Sequence, residues 1–279
     1  MSTSRVDIIS YSFLNKKDLL VMKVPKIKIK IEEFVHEIFM GIACVNEVRM
    51  EIPNFAYTFG TYSGKLMIEN ISGMNFQKWI ENHFRLDEYI RILYQICLSL
   101  ETARNRCHFY HNDLYPWNVM LKRDNRLKIN YNIKQNSVSI HNIKVLPVII
   151  DYGRSSGKYL NEEYILNNSS CDVQDILSLL LSSLHIIINK VKITNEQFNK
   201  LKILTQFFDY KYISKYIVNN EIVTFTDLRK FTERAKKYDE IVFGDKPGMK
   251  NKKLVHFREY LQTYFSNELK SLNIKYNNS

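Results

Sequence analysis

His111-Asn112-Asp113-Leu114-Tyr115-Pro116-Trp117-Asn118, followed downstream by Asp151-Tyr152-Gly153, is the part of this 279-residue chain whose reading decides the fold. The first piece sets an Asp and an Asn five residues apart and runs into the apolar Val119-Met120-Leu121. The second is an Asp-aromatic-Gly turn closing the apolar run Val145-Leu146-Pro147-Val148-Ile149-Ile150. Polar groups carried on loops beside apolar strands are placed to meet a ligand. Asp113 is the candidate base, because a carboxylate beside an attacking hydroxyl orients it and takes its proton. Asn118 offers a neutral oxygen and Asp151 a charged one, a hard-oxygen pair suited to Mg2+. One proton acceptor and two metal oxygens are the minimum apparatus of phosphoryl transfer from ATP. His111 reads as a packing residue that positions the loop, and Gly153 as the residue that permits the turn after Asp151.

Upstream, Val6 to Val24 reads as two strands broken at Asn15-Lys16-Lys17-Asp18, the second being Leu19 to Val24 with Lys23 near its end. Glu32 to Val45 repeats apolar residues at helical spacing, through Phe34, Val35, Ile38, Phe39, Ile42 and Ala43. Tyr62 to Ile71 reads as a hairpin, Phe76 to His83 as a short helix, and Asp87 to Cys107 as a long amphipathic one. Downstream, Ile176 to Ile188 is apolar enough for a buried helix but too short to span a bilayer. Helices are expected over Asn195 to Phe208, Tyr210 to Val218, Phe225 to Tyr238 and Leu254 to Leu272, with the tail from Lys275 frayed. The polar stretch between Asn118 and Asp151 reads as an extended hairpin, solvated decoration in preference to a partner-binding ornament.

HNDLYPWNVM, with Lys23, Glu37, Asp113, Asn118 and Asp151 in that order, resembles the protein-kinase-like superfamily. More narrowly it resembles the divergent serine/threonine kinase-like proteins of large DNA viruses, and also the aminoglycoside and choline phosphotransferases. Phe34-Val35-His36-Glu37-Ile38-Phe39-Met40-Gly41 and Pro53-Asn54-Phe55-Ala56-Tyr57-Thr58-Phe59-Gly60 look like the viral group as well. The resemblance implies an α+β, two-lobed fold, with a small β-rich lobe over residues 1–68 and a larger helical lobe over 69–279. It implies that Lys23 grips the ATP phosphates with Glu37 as its partner, and that adenine meets backbone near Glu69 to Ile71. It makes Asp113 the base and Asn118 and Asp151 the Mg2+ ligands. Asp172 resembles the buried Asp that anchors the catalytic loop from the central helix of the larger lobe.

Departures from the family pattern bear on the acceptor. No glycine precedes Gly41, so the glycine-rich loop over the phosphates is absent, and bulky residues at Leu14 to Asp18 hinder a close backbone approach. That favours an inactive binding module. Tyr115 stands where serine/threonine kinases carry a Lys, Asn112 where they carry an Arg, and no Ala-Pro-Glu follows Gly153, features shared with small-molecule kinases. Retention of all five catalytic-type residues favours an active enzyme over an inactive module, and the resemblance implies a hydroxyl acceptor, a serine or threonine of a protein.

The composition is that of a folded chain, 45% hydrophobic and 13% aromatic. Lys and Arg number 40 against 29 Asp and Glu, a net charge of +11. With heavy use of Lys, Asn and Ile and no aromatic-plus-basic RNA motif, this reads as a solvated basic surface, and no nucleic-acid partner is expected. Cys44, Cys97, Cys107 and Cys171 are scattered, which fits a reducing compartment rather than a disulfide framework or zinc site. With no signal peptide or lipidation signal and no membrane insertion expected, the location implied is cytoplasmic, in the host cell or virion if the source is viral. The expected partners are ATP and a protein substrate. The sequence does not speak to the oligomeric state.

Overall fold

The computed structural model describes residues 4–13, 16–25, 31–125, 128–134, 136–164, 171–207, 222, 224–236 and 251–278. The expected helix over Tyr210 to Val218 lies outside them. The fold is mixed α and β, with antiparallel sheets. β1 (Ser4–Phe13) and β2 (Lys16–Pro25) form a long hairpin in register from Ser4↔Pro25 to Phe13↔Lys16. β2 extends past the expected Leu19 start because pairing with β1 carries it back to Lys16. β3 (Thr58–Tyr62) and β4 (Lys65–Glu69) complete a sheet of order β1-β2-β4-β3. Their two-residue turn puts Ser63 and Gly64 at φ 49° and 71°, the doubly left-handed geometry that matches strand twist.

α1 (Ile31–Met40) runs through one wide π turn, Gly41–Val45, into α2 (Asn46–Glu51). The wide turn passes close to β3: a Cβ on Gly41 would lie 2.3 Å from Thr58 Oγ1. Asn46 locks the same junction, donating to the Thr58 carbonyl at 2.8 Å and accepting the Thr58 N–H at 2.9 Å.

β5 (Met74–Asn75) leads into α3 (Phe76–His83), whose first turn is capped by Asn75 Oδ1 on the Lys78 N–H. α4 (Leu86–Cys107) is buried over most of its circumference, from Tyr89 and Ile90 to Ala103, as a helix at the centre of a core must be. It ends at His108, which turns left-handed at φ 50° while its N–H bonds Arg104 O. β6 (Val119–Arg123) and β9 (Val145–Ile149) pair from Val119↔Ile149 to Arg123↔Val145 and form a sheet of order β5-β6-β9. A single parallel bridge, Phe55↔Ile149, links the segment after α2 to that sheet. β10 (Gly157–Tyr159) and β11 (Glu162–Tyr164) form a short antiparallel pair, and α5 (Gln174–Lys190) is the expected buried helix.

Two expectations are overturned. β7 (Lys128–Ile133) and β8 (Asn136–His141) are not a solvated ornament: Ile129, Tyr131, Ile133, Val138 and Ile140 are buried on one face of the hairpin. The tail is not frayed either. β12 (Lys275–Asn278) pairs with β8 from Lys275↔Ser139 to Asn278↔Asn136, giving a sheet of order β12-β8-β7. Arg258, itself paired to Glu101 at 2.8 Å, holds its guanidinium 5.9 Å from the Tyr276 ring centroid.

Among the described residues the later α-helices are α6 (Asn195–Thr205), then Phe225–Lys236, Leu254–Tyr264 and the short Ser266–Leu269. The last expected helix, Leu254 to Leu272, is thus broken at Phe265. Among the described residues no helix is long and apolar enough to cross a membrane, and the four cysteines are buried and in no disulfide.

Candidate active site

Three elements far apart in sequence deliver one ion-paired cluster. β2 carries Lys23, α1 carries Glu37, and the turn after β9 carries Asp151. Lys23 Nζ donates to Glu37 Oε1 and Oε2, both at 2.8 Å, and to Asp151 Oδ1 at 2.6 Å. Lys23 and Glu37 are buried, at 8% and 3% exposure, while the Asp151 side chain is 43% exposed and meets solvent. Burial works against the ammonium, but the Glu37 and then the Asp151 carboxylate outweigh it and hold Lys23 above the ordinary lysine value. Burial pushes Glu37 up to about 7 against the pull of Lys23, with Asp151 adding to the rise. Asp151 is held below its ordinary value, Lys23 overcoming the cost of burial. Above about pH 7, where Glu37 is ionised, two carboxylates around one ammonium leave a local excess of negative charge, which suits a further cation.

Asp151 also carries the backbone strain of its turn, at φ 69°. Gly153, expected to be the conformationally necessary residue, is not left-handed, and a Cβ there would be 3.7 Å from its nearest neighbour, Glu37 Oε2. The turn is made by the aspartate itself.

The β6–β9 register explains how Asn118 reaches Asp151. Val119 faces Ile149, so Asn118, one residue before β6, lies opposite Ile150, and its carbonyl accepts the Ile150 N–H at 3.0 Å. A 3-10 turn, Pro116–Asn118, holds it there. The Asn118 amide nitrogen donates to the Asp113 carbonyl at 2.8 Å and lies 3.4 Å from Asp113 Oδ2, leaving its oxygen as the atom to offer a cation. Among the described residues no three His, Cys, Asp or Glu side chains are grouped to hold a metal on their own. One carboxylate and one amide oxygen fit Mg2+ in the manner that leaves most of its shell to water and phosphate.

Asp113 is tied to this cluster. Burial lifts its carboxyl above the ordinary value, against the pull of His111 and Arg154, and Asp151 adds to the rise. Its N–H lies 3.3 Å from His111 Nδ1. His111 is fully buried, with Nε2 2.9 Å from the Ile150 carbonyl, so it spans from the Asp113 loop to the Asp151 turn.

Asp175, in the first turn of α5, anchors the loop and was missed in the sequence. Its two oxygens accept the His111 N–H at 2.9 Å and the Asn112 N–H at 2.8 Å. It is 1% exposed and faces Arg104 at 3.5 Å. Asp172, expected in this role, precedes the helix and turns elsewhere, pairing with Arg104 at 3.0 Å and accepting the Leu254 N–H at 2.7 Å. An aspartate set directly against the apolar run from Ile176 was the legible signal, since a charge on a buried helix must have partners.

Glu69 and Ile71 stand apart from the cluster. Glu69 pairs with Leu20, three residues along β2 from Lys23. Its N–H is used by the Tyr57 carbonyl at 2.8 Å, and its carboxylate by Arg49 at 3.3 Å and the Tyr57 N–H at 3.1 Å. Ile71 is buried.

No protein-family model matches the sequence. The chain is similar to uncharacterized protein 179R of Invertebrate iridescent virus 6, 25% identical over 274 aligned residues that take in 85% of this chain and 23% of that protein. It is similar to uncharacterized protein 035R of Invertebrate iridescent virus 3, 25% identical over 246 residues, 74% of this chain and 22% of that protein. From the same virus, the protein named Probable kinase 098L is 28% identical over 181 residues, 60% of this chain and 33% of that protein. The chain spans less than a quarter of the length of the first two relatives.

Two further residues of the site had no recognisable signal in the sequence. Arg154 Nη1 lies 3.8 Å from Asp113 Oδ1. Asn112, left-handed at φ 61°, donates from its side-chain amide to the Arg154 carbonyl and to Ser156 Oγ, both at 3.1 Å. Beside them the Tyr115 and Trp117 rings stack at 4.7 Å and 13°, with Trp117 46% exposed.

Proposed function

We propose that the chain is an ATP-dependent phosphotransferase that moves the γ-phosphoryl group to a hydroxyl, a protein serine or threonine being the favoured acceptor. One observation carries the reading: Lys23 is ion-paired to both Glu37 and Asp151, while the loop bearing Asp113 and Asn118 is hydrogen-bonded to the segment that ends in Asp151. Lys23, fixed by Glu37, would present its ammonium to phosphate oxygens. Asn118 and Asp151 would hold Mg2+, which when bound supplies charge neutralisation of the phosphates. Asp113 would orient the acceptor hydroxyl and take its proton as the hydroxyl oxygen bonds the γ-phosphorus and the bond to the β,γ-bridging oxygen breaks, releasing ADP. Under this reading residues 1–68 and 69–279 are the two lobes of a kinase-like fold, and adenine lies against backbone at Glu69 to Ile71. Similarity to a viral protein named Probable kinase 098L supports it.

A second reading, a small-molecule acceptor, draws on the stacked Tyr115 and Trp117 beside Asp113. An exposed aromatic platform suits a planar or cationic acceptor. Incubation with radiolabelled ATP and Mg2+ against a protein extract and, separately, its small-molecule fraction tests the two. Alkali-labile label on serine or threonine is the expected result, and label confined to the small molecules would overturn the protein-acceptor assignment.

A further inference from the structure

The cation described so far, Lys23, is set among its own carboxylates, and a second one stands beside the candidate base. Lys23 is engaged by Glu37 and Asp151. A phosphoryl group in flight carries its charge on three equatorial oxygens, and a positive charge aimed at them from the acceptor side stabilises it. Arg154 is where that charge is available.

Its backbone is held at several points. The Asn112 side chain grips its carbonyl at 3.1 Å. Directly after it, Ser155 N–H and Oγ bond Tyr152 O at 3.1 and 2.6 Å. Ser156 then exchanges two backbone hydrogen bonds with Tyr110, both at 2.8 Å. The side chain, by contrast, is 50% exposed, and its contact with Asp113 is 3.8 Å, too long for a hydrogen bond. A rigid base and a loosely paired guanidinium describe a group delivered to Asp113 yet free to leave it. An acceptor hydroxyl bound at Asp113 would bring the phosphoryl oxygens within reach of the same guanidinium, whose planar donors match phosphate.

The geometry points to Arg154 as a catalytic residue of the phosphoryl transfer, rotating from Asp113 onto the equatorial oxygens of the migrating group. This rests on the phosphotransferase reading above. Arg154 makes and breaks no covalent bond; it stabilises charge while the proton passes to Asp113 and ADP departs.

The test compares wild type, Arg154→Ala and Arg154→Lys in two assays. The first is binding of ADP with Mg2+, with and without aluminium fluoride, which mimics the phosphoryl group in transfer. Wild type is expected to bind tighter with the fluoride present, and Arg154→Ala to lose at least about tenfold of that gain while binding ADP within about twofold of wild type. The second is turnover: kcat of Arg154→Ala should fall about 100-fold or more and be partly restored by added guanidinium, with Arg154→Lys intermediate. An unchanged fluoride gain and kcat within about threefold would overturn the assignment of Arg154 and leave the phosphotransferase reading standing. Equal loss of ADP and fluoride-complex binding would overturn it in favour of a structural role. Wild type that binds no nucleotide would sink the underlying reading and this inference together.

Discussion

Lys23 and Asp151, 128 residues apart, meet at 2.6 Å, and the same ammonium is held at 2.8 Å by both oxygens of Glu37. A strand, a helix and a strand-end turn converge on one nitrogen. Folding brings Lys23 and Glu37 out of water to do so, a cost that a purely structural core would avoid.

The electrostatics of that cluster have a measurable pH signature. Glu37 rises from 4.5 to about 7 in the folded chain. A carboxyl raised on folding is protonated in the native state while the unfolded chain has already lost its proton. Its contribution to stability is therefore fully present below about 4.5 and is lost as pH climbs to about 7. The stability of Glu37→Gln relative to wild type should rise between pH 5 and pH 8, read by urea denaturation at each pH. A difference that stays constant or falls would contradict the assignment. Asp151 runs the other way, since its lowered value adds stability above the ordinary aspartate range and loses it on acidification.

Asp175 and Asp172 separate cleanly by stability. Asp175 satisfies two buried N–H groups and is one of two carboxylates on Arg104, so Asp175→Ala strands both N–H groups, leaves Arg104 to Asp172 alone and should cost roughly 3–5 kcal/mol. Asp172, one-third exposed, should cost about 1–2 kcal/mol as Asp172→Ala. Chemical denaturation of the two variants checks the order, and equal losses would return the anchoring role to Asp172.

Much of this arrangement was readable beforehand. Lys23, Glu37, Asp113, Asn118 and Asp151 stand on or beside elements whose periodicity marks them as strand or helix, and the structure gathers all five into one region. Asp175 escaped because the aspartate three residues earlier competed for the same role, and only the start of α5 at Gln174 decides which one faces the loop. The β7–β8 hairpin was legible as a hairpin but its burial was not, because its polar residues mask the alternation of Ile129, Tyr131 and Ile133. Its partner strand, β12, lies more than a hundred residues away, a non-local pairing that no local pattern reveals. Arg154 reaches Asp113 only through tertiary contact.

The glycines give opposite expectations. Gly153→Ala meets nothing closer than 3.7 Å and should leave Tm within about 2 °C of wild type. Gly41→Ala drives a methyl to 2.3 Å from Thr58 Oγ1 and should cost about 1–3 kcal/mol, partly recovered in the double variant with Thr58→Ala. Thermal unfolding of the four proteins decides it, and a Gly153→Ala loss exceeding that of Gly41→Ala would refute the account.

Removing the chain after Ile274 deletes β12 and exposes the edge of β8. The four residue pairs lost should lower Tm by about 5 °C or more, with ladder bonds worth about 1 kcal/mol each. An unchanged Tm would mean that the strand contributes nothing to the fold.

The account stands most directly on label transfer from radiolabelled ATP in the presence of Mg2+, measured for wild type and Asp151→Asn with a mixed protein extract and the chain itself as acceptors. It predicts transfer by wild type that falls by about 100-fold or more in Asp151→Asn, whose amide cannot supply the charged oxygen. Transfer that is equal in the two proteins, or absent from wild type together with any nucleotide-dependent shift in its melting, would contradict it.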